Sequence, residues 1–454
     1  MQRDSLDFKN MKISSLFFKQ LFPTLLGMIS SALFVVIDGI FVGQGIGSNG
    51  IAAVNITMPL FMIVTGLGLM FGMGGGILAS INISRGKHKV ANINVTQSTI
   101  AALTVSTLVA VAMMTLTPQL AVLLGSDALL LDQAVEYMFW VGTGMPAAAL
   151  LASQLFFVRL TNPRFGMWAM IISTVINIVL DYVFIFVCEW GLFGAAIATV
   201  IGEYAGAIML FIYLCRTKIA VRFAKLKLSY KSMKLTLRNI WYMARLGIST
   251  CLSEMTISLM AISGNLVFMH YMGTDGVASF SIICYLFPVI FMVFNSIVQS
   301  AQPIISYNYG AAVMDRSNKA LRLSLQSAVT FGITITLVFV WFASDIVSLF
   351  VPDKTNPAFQ YAVSGLPLFA TDYIFFGINV IIIGYYASIE RVKRALGFTL
   401  LRGVLPVGFF ILLPLLMGNT GIWLAVAASD ITTTIVIIVF FLRDRAKRKR
   451  ARRV

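Results

Sequence analysis

A chain of 454 residues that is 59% hydrophobic and only 11% charged, with a mean hydropathy of +0.89, has too little polar surface to wet the outside of a soluble fold. Its formal charge of +16 sits in short basic clusters between apolar runs and in the terminal tail. That pattern excludes a nucleic-acid partner, which needs a continuous basic surface, and suits loops that face anionic lipid.

The polar N-terminus carries Arg3, Lys9, Lys12 and Lys19. The apolar run behind it, Leu21 to Val42, is too long for the core of a cleavable signal, and no small-residue cleavage site follows it, so it is expected to stay as the first span. A span takes about 20 apolar residues at about 1.5 Å rise each. That measure predicts twelve spans, over residues 17–43, 53–81, 93–116, 134–157, 166–187, 191–214, 243–270, 278–303, 321–343, 359–386, 398–416 and 421–442. Such runs are helices, because barrel strands would alternate over about ten residues. The expected class is an all-α integral membrane protein of twelve transmembrane helices. It comprises an N-lobe of six helices (1–215), a basic linker (216–242), a C-lobe of six (243–442) and a basic tail (443–454).

Lysine and arginine set the orientation. With the N-terminus inside, the cytoplasmic segments hold Arg85, Lys87 and Lys89, then Arg159 and Arg164, then the linker from Arg216 to Arg238. Arg316, Lys319 and Arg322 follow, then Arg391, Lys393, Arg394 and Arg402, then the tail Arg443 to Arg453. The outer loops hold one lysine, Lys354, beside Asp127, Asp132, Glu189, Asp275 and Asp353. Both termini are thus expected in the cytoplasm.

The two halves repeat. GSNGIAAVNI (Gly47–Ile56) matches GTDGVASFSI (Gly273–Ile282), and GLFGAAIATVIGE (Gly191–Glu203) matches GNTGIWLAVAASD (Gly418–Asp430). With an even number of spans per half, the repeats are parallel, and a substrate site is expected where the halves meet.

Six acids fall inside the runs: Asp38, Asp181, Glu203, Glu254, Asp372 and Asp430. Each costs about 3 kcal/mol or more near the bilayer centre. No lysine or arginine lies deep in a run to neutralise them, and Arg402, at the inner end of the eleventh, is expected to snorkel. Such acids must be protonated, hydrated in a cavity or paired with an imported cation, which suits a proton- or sodium-coupled site and cationic cargo. Counting along the outgoing spans puts Asp38 and Asp181 in the outer half at similar depth, Asp181 about 24 Å in. Asn177 precedes Asp181 by one turn and shares its face, and an amide carbonyl beside a carboxylate suits Na⁺ or a protonated acid. Glu203, Glu254 and Asp372 count out nearer the midplane. The plainer reading of any of these acids is an interhelical hydrogen bond, and Glu203 and Asp430, equivalent in the repeat, suit structural counterparts.

FGMGGG (Phe71–Gly76) suits close helix packing, with a hinge as the alternative. Pro23, Pro146, Pro288 and Pro406 lie in or near spans and free backbone groups at bends. The cysteines Cys188, Cys215, Cys251 and Cys284 form no CxxC pair, and the histidines are His88, in a basic loop, and His270, near a helix end. No disulfide, metal site or cofactor is expected.

FPTLLG…VIDGIFVG in the first run, INIVLDY (Ile176–Tyr182) followed by GLFGAAIAT, QPIISYNYG (Gln302–Gly310) and GIWLAVAASD together resemble the MATE family (multidrug and toxic compound extrusion). The likeness covers nearly the whole chain and is closer to the DinF/MepA-like branch. It implies a monomeric antiporter with two six-helix lobes in a bacterial cytoplasmic membrane, exchanging small cationic amphipathic substrates for H⁺ or Na⁺. It also implies Asp38, Asn177 and Asp181 as an N-lobe cation site, and Glu254 and Asp372 as acids used in the C-lobe of the NorM-like branch. It assigns nothing to Glu203 or Asp430.

Other classes fit less well. A saccharide-lipid flippase of the same superfamily would need buried basic residues for its polyanionic headgroup, which the runs lack. A metabolite exporter of the general facilitator type would carry a DRxGRR-like loop where this chain reads SRGKHK. A channel would ring its acids, and no His-rich or Ser-centred constellation suggests an enzyme.

Overall fold

A computed structural model describes residues 6–126, 128, 130–216, 220–227 and 229–451, and the side chains of these except Ser48 and residues 444–451. Arg3, Asp127, linker residues 217–219 and 228, and tail residues 452–454 lie outside the described residues.

Among the described residues there is no strand. The helices are α1 (Ile13–Gly45), α2 (Ser48–Ser84), α3 (His88–Thr115), α4 (Thr117–Leu123), α5 (Leu131–Arg159), α6 (Pro163–Tyr182) and α7 (Gly191–Cys215). There follow α8 (Tyr230–Gly310), α9 (Met314–Trp341), α10 (Ala343–Ser348), α11 (Pro357–Ala370), α12 (Asp372–Ser388), α13 (Val392–Met417) and α14 (Asn419–Ala451). A π turn, Val183–Val187, extends α6. Ten of these helices are long and apolar enough to cross a membrane, and α11 with α12, bent by 41°, makes one further broken span. The 81-residue α8 holds two spans, divided at Gly273, whose φ of 65° no helix accommodates. The chain is therefore the twelve-span, all-α membrane protein that its apolar runs predict.

Local chemistry starts and stops the spans. α6 and α11 begin alike, with proline at the first position and the preceding asparagine as cap: Asn162 accepts from the Phe165 amide and Asn356 from that of Ala358. Proline loses nothing there, because that amide has no helical partner. The repeated glycines Gly47, Gly191, Gly273 and Gly418 have φ of 98°, 56°, 65° and 58°. They recur because each span entry in the repeat turns through backbone closed to most other residues.

The chain forms two compact units. The first takes the chain up to Glu254 together with Gln299–Ala320; the second takes Met255–Val298 and the chain from Leu321 on. In the first, α2 packs along α3 and α5, α5 along α7, and α1 along α6. The FGMGGG stretch is a packing surface. A Cβ on Gly72 would lie 2.8 Å from the Ser153 Cα, and one on Gly75 2.8 Å from the Ser98 side chain. The first part of α8 crosses the same face: a Cβ on Gly74 would meet the Met243 carbonyl at 2.0 Å, and one on Gly247 the Met70 carbonyl at 1.9 Å. α8 begins inside the stretch read as linker, where Gln97 Nε2 donates to Thr236 Oγ1 (2.9 Å) and Asn239 Nδ2 to Asn94 Oδ1 (2.9 Å). The second unit is built on aromatics. Phe287, Phe294, Phe369, Tyr373 and Phe376 meet mostly edge to face, the arrangement ring quadrupoles favour.

Candidate cation and substrate sites

In the first unit α1 and α6 run together, and each brings one acid to the same place. Asp38 and Asp181 are 2% and 0% exposed, and their carboxyl groups stand within hydrogen-bonding reach of each other. Asn177, one turn before Asp181, donates from Nδ2 to Thr199 Oγ1 on α7 (3.4 Å). Tyr137 of α5 borders both acids and Thr199. Among the described residues, no N–H or O–H is within hydrogen-bond geometry of either oxygen of Asp181, nor of Asp38 Oδ1 or Asn177 Oδ1, although Asn177 and Asp38 border Asp181. Two acids and an amide oxygen, ringed by neutral groups and short of donors, form a receptor for positive charge: a proton, Na⁺ or an ammonium.

The other predicted acids separate. Glu203, one turn beyond Thr199, is half-buried and makes no hydrogen bond or ion pair among the described residues. Glu254 is half-buried on α8, one turn from Cys251, and falls in the first unit. Asp372 and Asp430, 0% and 3% exposed, face each other in the second unit. Asp430 Oδ1 accepts from Asn379 Nδ2 (2.8 Å), whose Oδ1 accepts in turn from Thr434 Oγ1 (2.8 Å). The repeat-equivalent pair therefore differs: Asp430 sits in a network and Glu203 does not.

One expectation about a basic residue is overturned. Arg402 does not snorkel. It is 6% exposed, with Nε 3.7 Å from Asp430 Oδ1 and Cζ 4.3 Å from the centre of the Phe376 ring. The apolar run starts at about residue 398, but α13 starts at Val392, so Arg402 lies about 15 Å along its helix, too deep to reach its end. Arg159, 2% exposed, is also buried: its Nη1 donates to Gln299 Oε1, and its carbonyl accepts from Gln20 Nε2 (3.0 Å). Arg159 closes α5 beyond the predicted run, but the eleventh run does hold a buried cation in Arg402, and the exclusion of a polyanionic cargo for want of one falls. Tyr137, Thr199, Asn379 and Thr434 escaped the sequence reading, and Arg402 was read as an anchor. Only Asn379 gave a signal, lying two helical turns after Asp372 on the same face.

A multi-span chain of two helical units, each with acids buried in its core, has the architecture of a membrane transporter. The sequence matches the MatE family over residues 23–183 and 249–412, and the chain belongs to that family. It is 26% identical over 431 residues to the multidrug export protein MepA of Staphylococcus aureus (strain MRSA252), covering 93% of this chain and 92% of that one. It is 24% identical to MepA of Staphylococcus saprophyticus over the same shares. Among solved structures it resembles an outward-facing multidrug resistance MATE family transporter of the MOP superfamily (TM-score 0.88, 20% identity, 96% of this chain and 97% of that one). It also resembles a MOP superfamily transporter from Pyrococcus furiosus (TM-score 0.87, 20% identity, 95% and 96%).

Proposed function

We propose that the chain is a secondary antiporter that exports small cationic amphipathic compounds across a bacterial cytoplasmic membrane in exchange for H⁺ or Na⁺, with both termini inside. The observation that carries this reading is the Asp38–Asp181 pair. Two buried carboxyl groups in contact, with no basic partner among the described residues, gain most from a single added positive charge, so ion and cargo compete for the same acids. Competition becomes exchange when ion uptake changes the relative stability of the two access states. The name of the MepA relatives, multidrug export protein, supports export as the direction and drug-like compounds as the cargo. The excess of Lys and Arg in alternate loops supports the orientation.

Asp181→Asn keeps the shape of the pair and removes its charge. It is expected to abolish gradient-driven efflux of a cationic dye while leaving the amount of folded protein in the membrane unchanged. Efflux at the wild-type rate would take Asp181 out of the coupling.

A further inference from the structure

The stretch between the sixth and seventh spans is one-sided in charge: from Tyr204 to Ser253 the chain has no acidic residue. The fold makes a surface of it. Asn92 and Thr96, in the first turns of α3, take up the backbone that precedes α8. Asn92 Oδ1 accepts from the Arg222 amide (3.1 Å) and Thr96 Oγ1 from that of Ala224 (2.9 Å). Gln97 and Asn94 then hold Thr236 and Asn239, in the first turns of α8 itself. These α3 residues lie where its apolar run begins, at about residue 93. The start of α8 is therefore held level with the edge of the bilayer and not out in the water.

Its faces differ. Thr236 and Asn239 turn toward α3, and Met243 toward α2. Away from them Tyr230, Met233, Leu237 and Trp241 follow at steps of three and four residues, which makes them one stripe. All four are exposed, Tyr230 by 88% and Trp241 by 67%. Lys231, Lys234, Arg238 and Arg245 are exposed as well, and their steps of three, four and seven residues make a second stripe beside the first. Lys225 and Lys227, also exposed, add two charges just ahead of the helix. Apolar and basic stripes side by side, with aromatic rings among them, suit a helix in the headgroup layer. Its rings and aliphatic chains enter the acyl boundary, and its cations stay among the phosphates. Water would satisfy the charges and leave the stripe bare, and a neutral lipid would cover the stripe and leave the charges unmatched. An anionic lipid meets both.

We propose that this face of α8, from Tyr230 to Arg245, is a docking surface for anionic phospholipid. Lys231, Lys234 and Arg238 hold the headgroup phosphates, and the acyl chains lie over Leu237 and Trp241. An acidic protein segment would match the charges but not an apolar stripe held at the bilayer edge. The same helix runs on to Met243 and Gly247, whose backbone packs on α2, so a lipid held here fixes the end of α8 that enters that contact. The surface goes beyond the exchange and does not depend on the Asp38–Asp181 pair.

The probes are phosphatidylglycerol and phosphatidylcholine carrying the same fluorescent acyl chain. Each is titrated against the purified full chain in detergent and followed by fluorescence anisotropy. At low salt, wild type is expected to bind phosphatidylglycerol about tenfold more tightly, a preference that shrinks as salt is raised. Lys231→Gln, Lys234→Gln and Arg238→Gln together should bring the ratio to about two or less. Arg238→Gln alone should cut it about threefold and serves if the triple variant does not fold. The control removes exposed charges elsewhere, by Lys319→Gln, Arg322→Gln and Lys393→Gln, and should keep the wild-type ratio. Trp241→Ala should weaken both lipids about equally. Equal binding of the two lipids by wild type, or a preference lost as fully in the control as in the triple variant, overturns the surface. Equal binding of the lipids together with tight binding of a fluorescent oligoglutamate peptide gives the face to an acidic protein and overturns its assignment to lipid.

Discussion

Asp430 touches three side chains that matter to its charge: the Asn379 amide at 2.8 Å, the Arg402 guanidinium at 3.7 Å and the Asp372 carboxyl group. Removing one partner of a buried ion pair commonly costs about 3–5 kcal/mol, because the other charge stays buried. Asp372 remains close by to compensate in part, so Asp430→Asn is expected to destabilise the protein by about 2 kcal/mol, read as a lower melting temperature in detergent. Adding Arg402→Gln to it should recover part of that loss. A melting temperature equal to wild type for Asp430→Asn would show that the pair contributes nothing to stability. At this scale the acids were legible, because a carboxylate in an apolar run is conspicuous whatever the fold. Their neighbours were not. Tyr137 and Thr199 are ordinary residues for a membrane helix, and only the meeting of α5, α6 and α7 makes them part of a site. Arg402 was misread because an apolar run is shorter than the helix that carries it, so depth counted from the edge of the run came out too shallow.

α2 and α8 meet through a reciprocal pair of glycines. Residues Met70 and Gly74 on one helix face Met243 and Gly247 on the other, and each glycine lies under the opposite carbonyl. With so little side chain between them, the backbones approach closely, which is how helices gain packing energy where lipid supplies no hydrophobic drive. Gly74→Ala would put a methyl 2.0 Å from the Met243 carbonyl, and the helices must part. The expected cost is about 1–3 kcal/mol, again read by thermal melting. Gly39→Ala is the control: Gly39 lies in α1 with nothing within 4 Å of its missing Cβ, so alanine should be neutral or stabilise by up to about 1 kcal/mol. Equal melting temperatures for the two variants would contradict close packing at Gly74. The spans and the glycine repeat were legible because twenty-residue apolar runs and positive-φ glycines both leave marks in composition. The break between α11 and α12, the short helices α4 and α10, and the π turn after α6 were not. Each is a local departure within a chain that stays apolar, so hydropathy passes over it.

Taken whole, the chain puts four of its six buried or half-buried span acids in two differently charged settings. Among the described residues Asp38 and Asp181 have no basic neighbour, while Arg402 stands beside Asp430 and its partner Asp372. The exchange proposed above rests on the first setting. The measurement that bears most directly on exchange uses wild-type protein reconstituted in liposomes, with a cationic dye followed under an imposed pH gradient or, separately, a sodium gradient. Antiport predicts dye movement against the flow of one of the two ions, collapsing when that gradient is dissipated. Dye movement that ignores both gradients, or no movement of dye with folded protein confirmed in the vesicles, would contradict it.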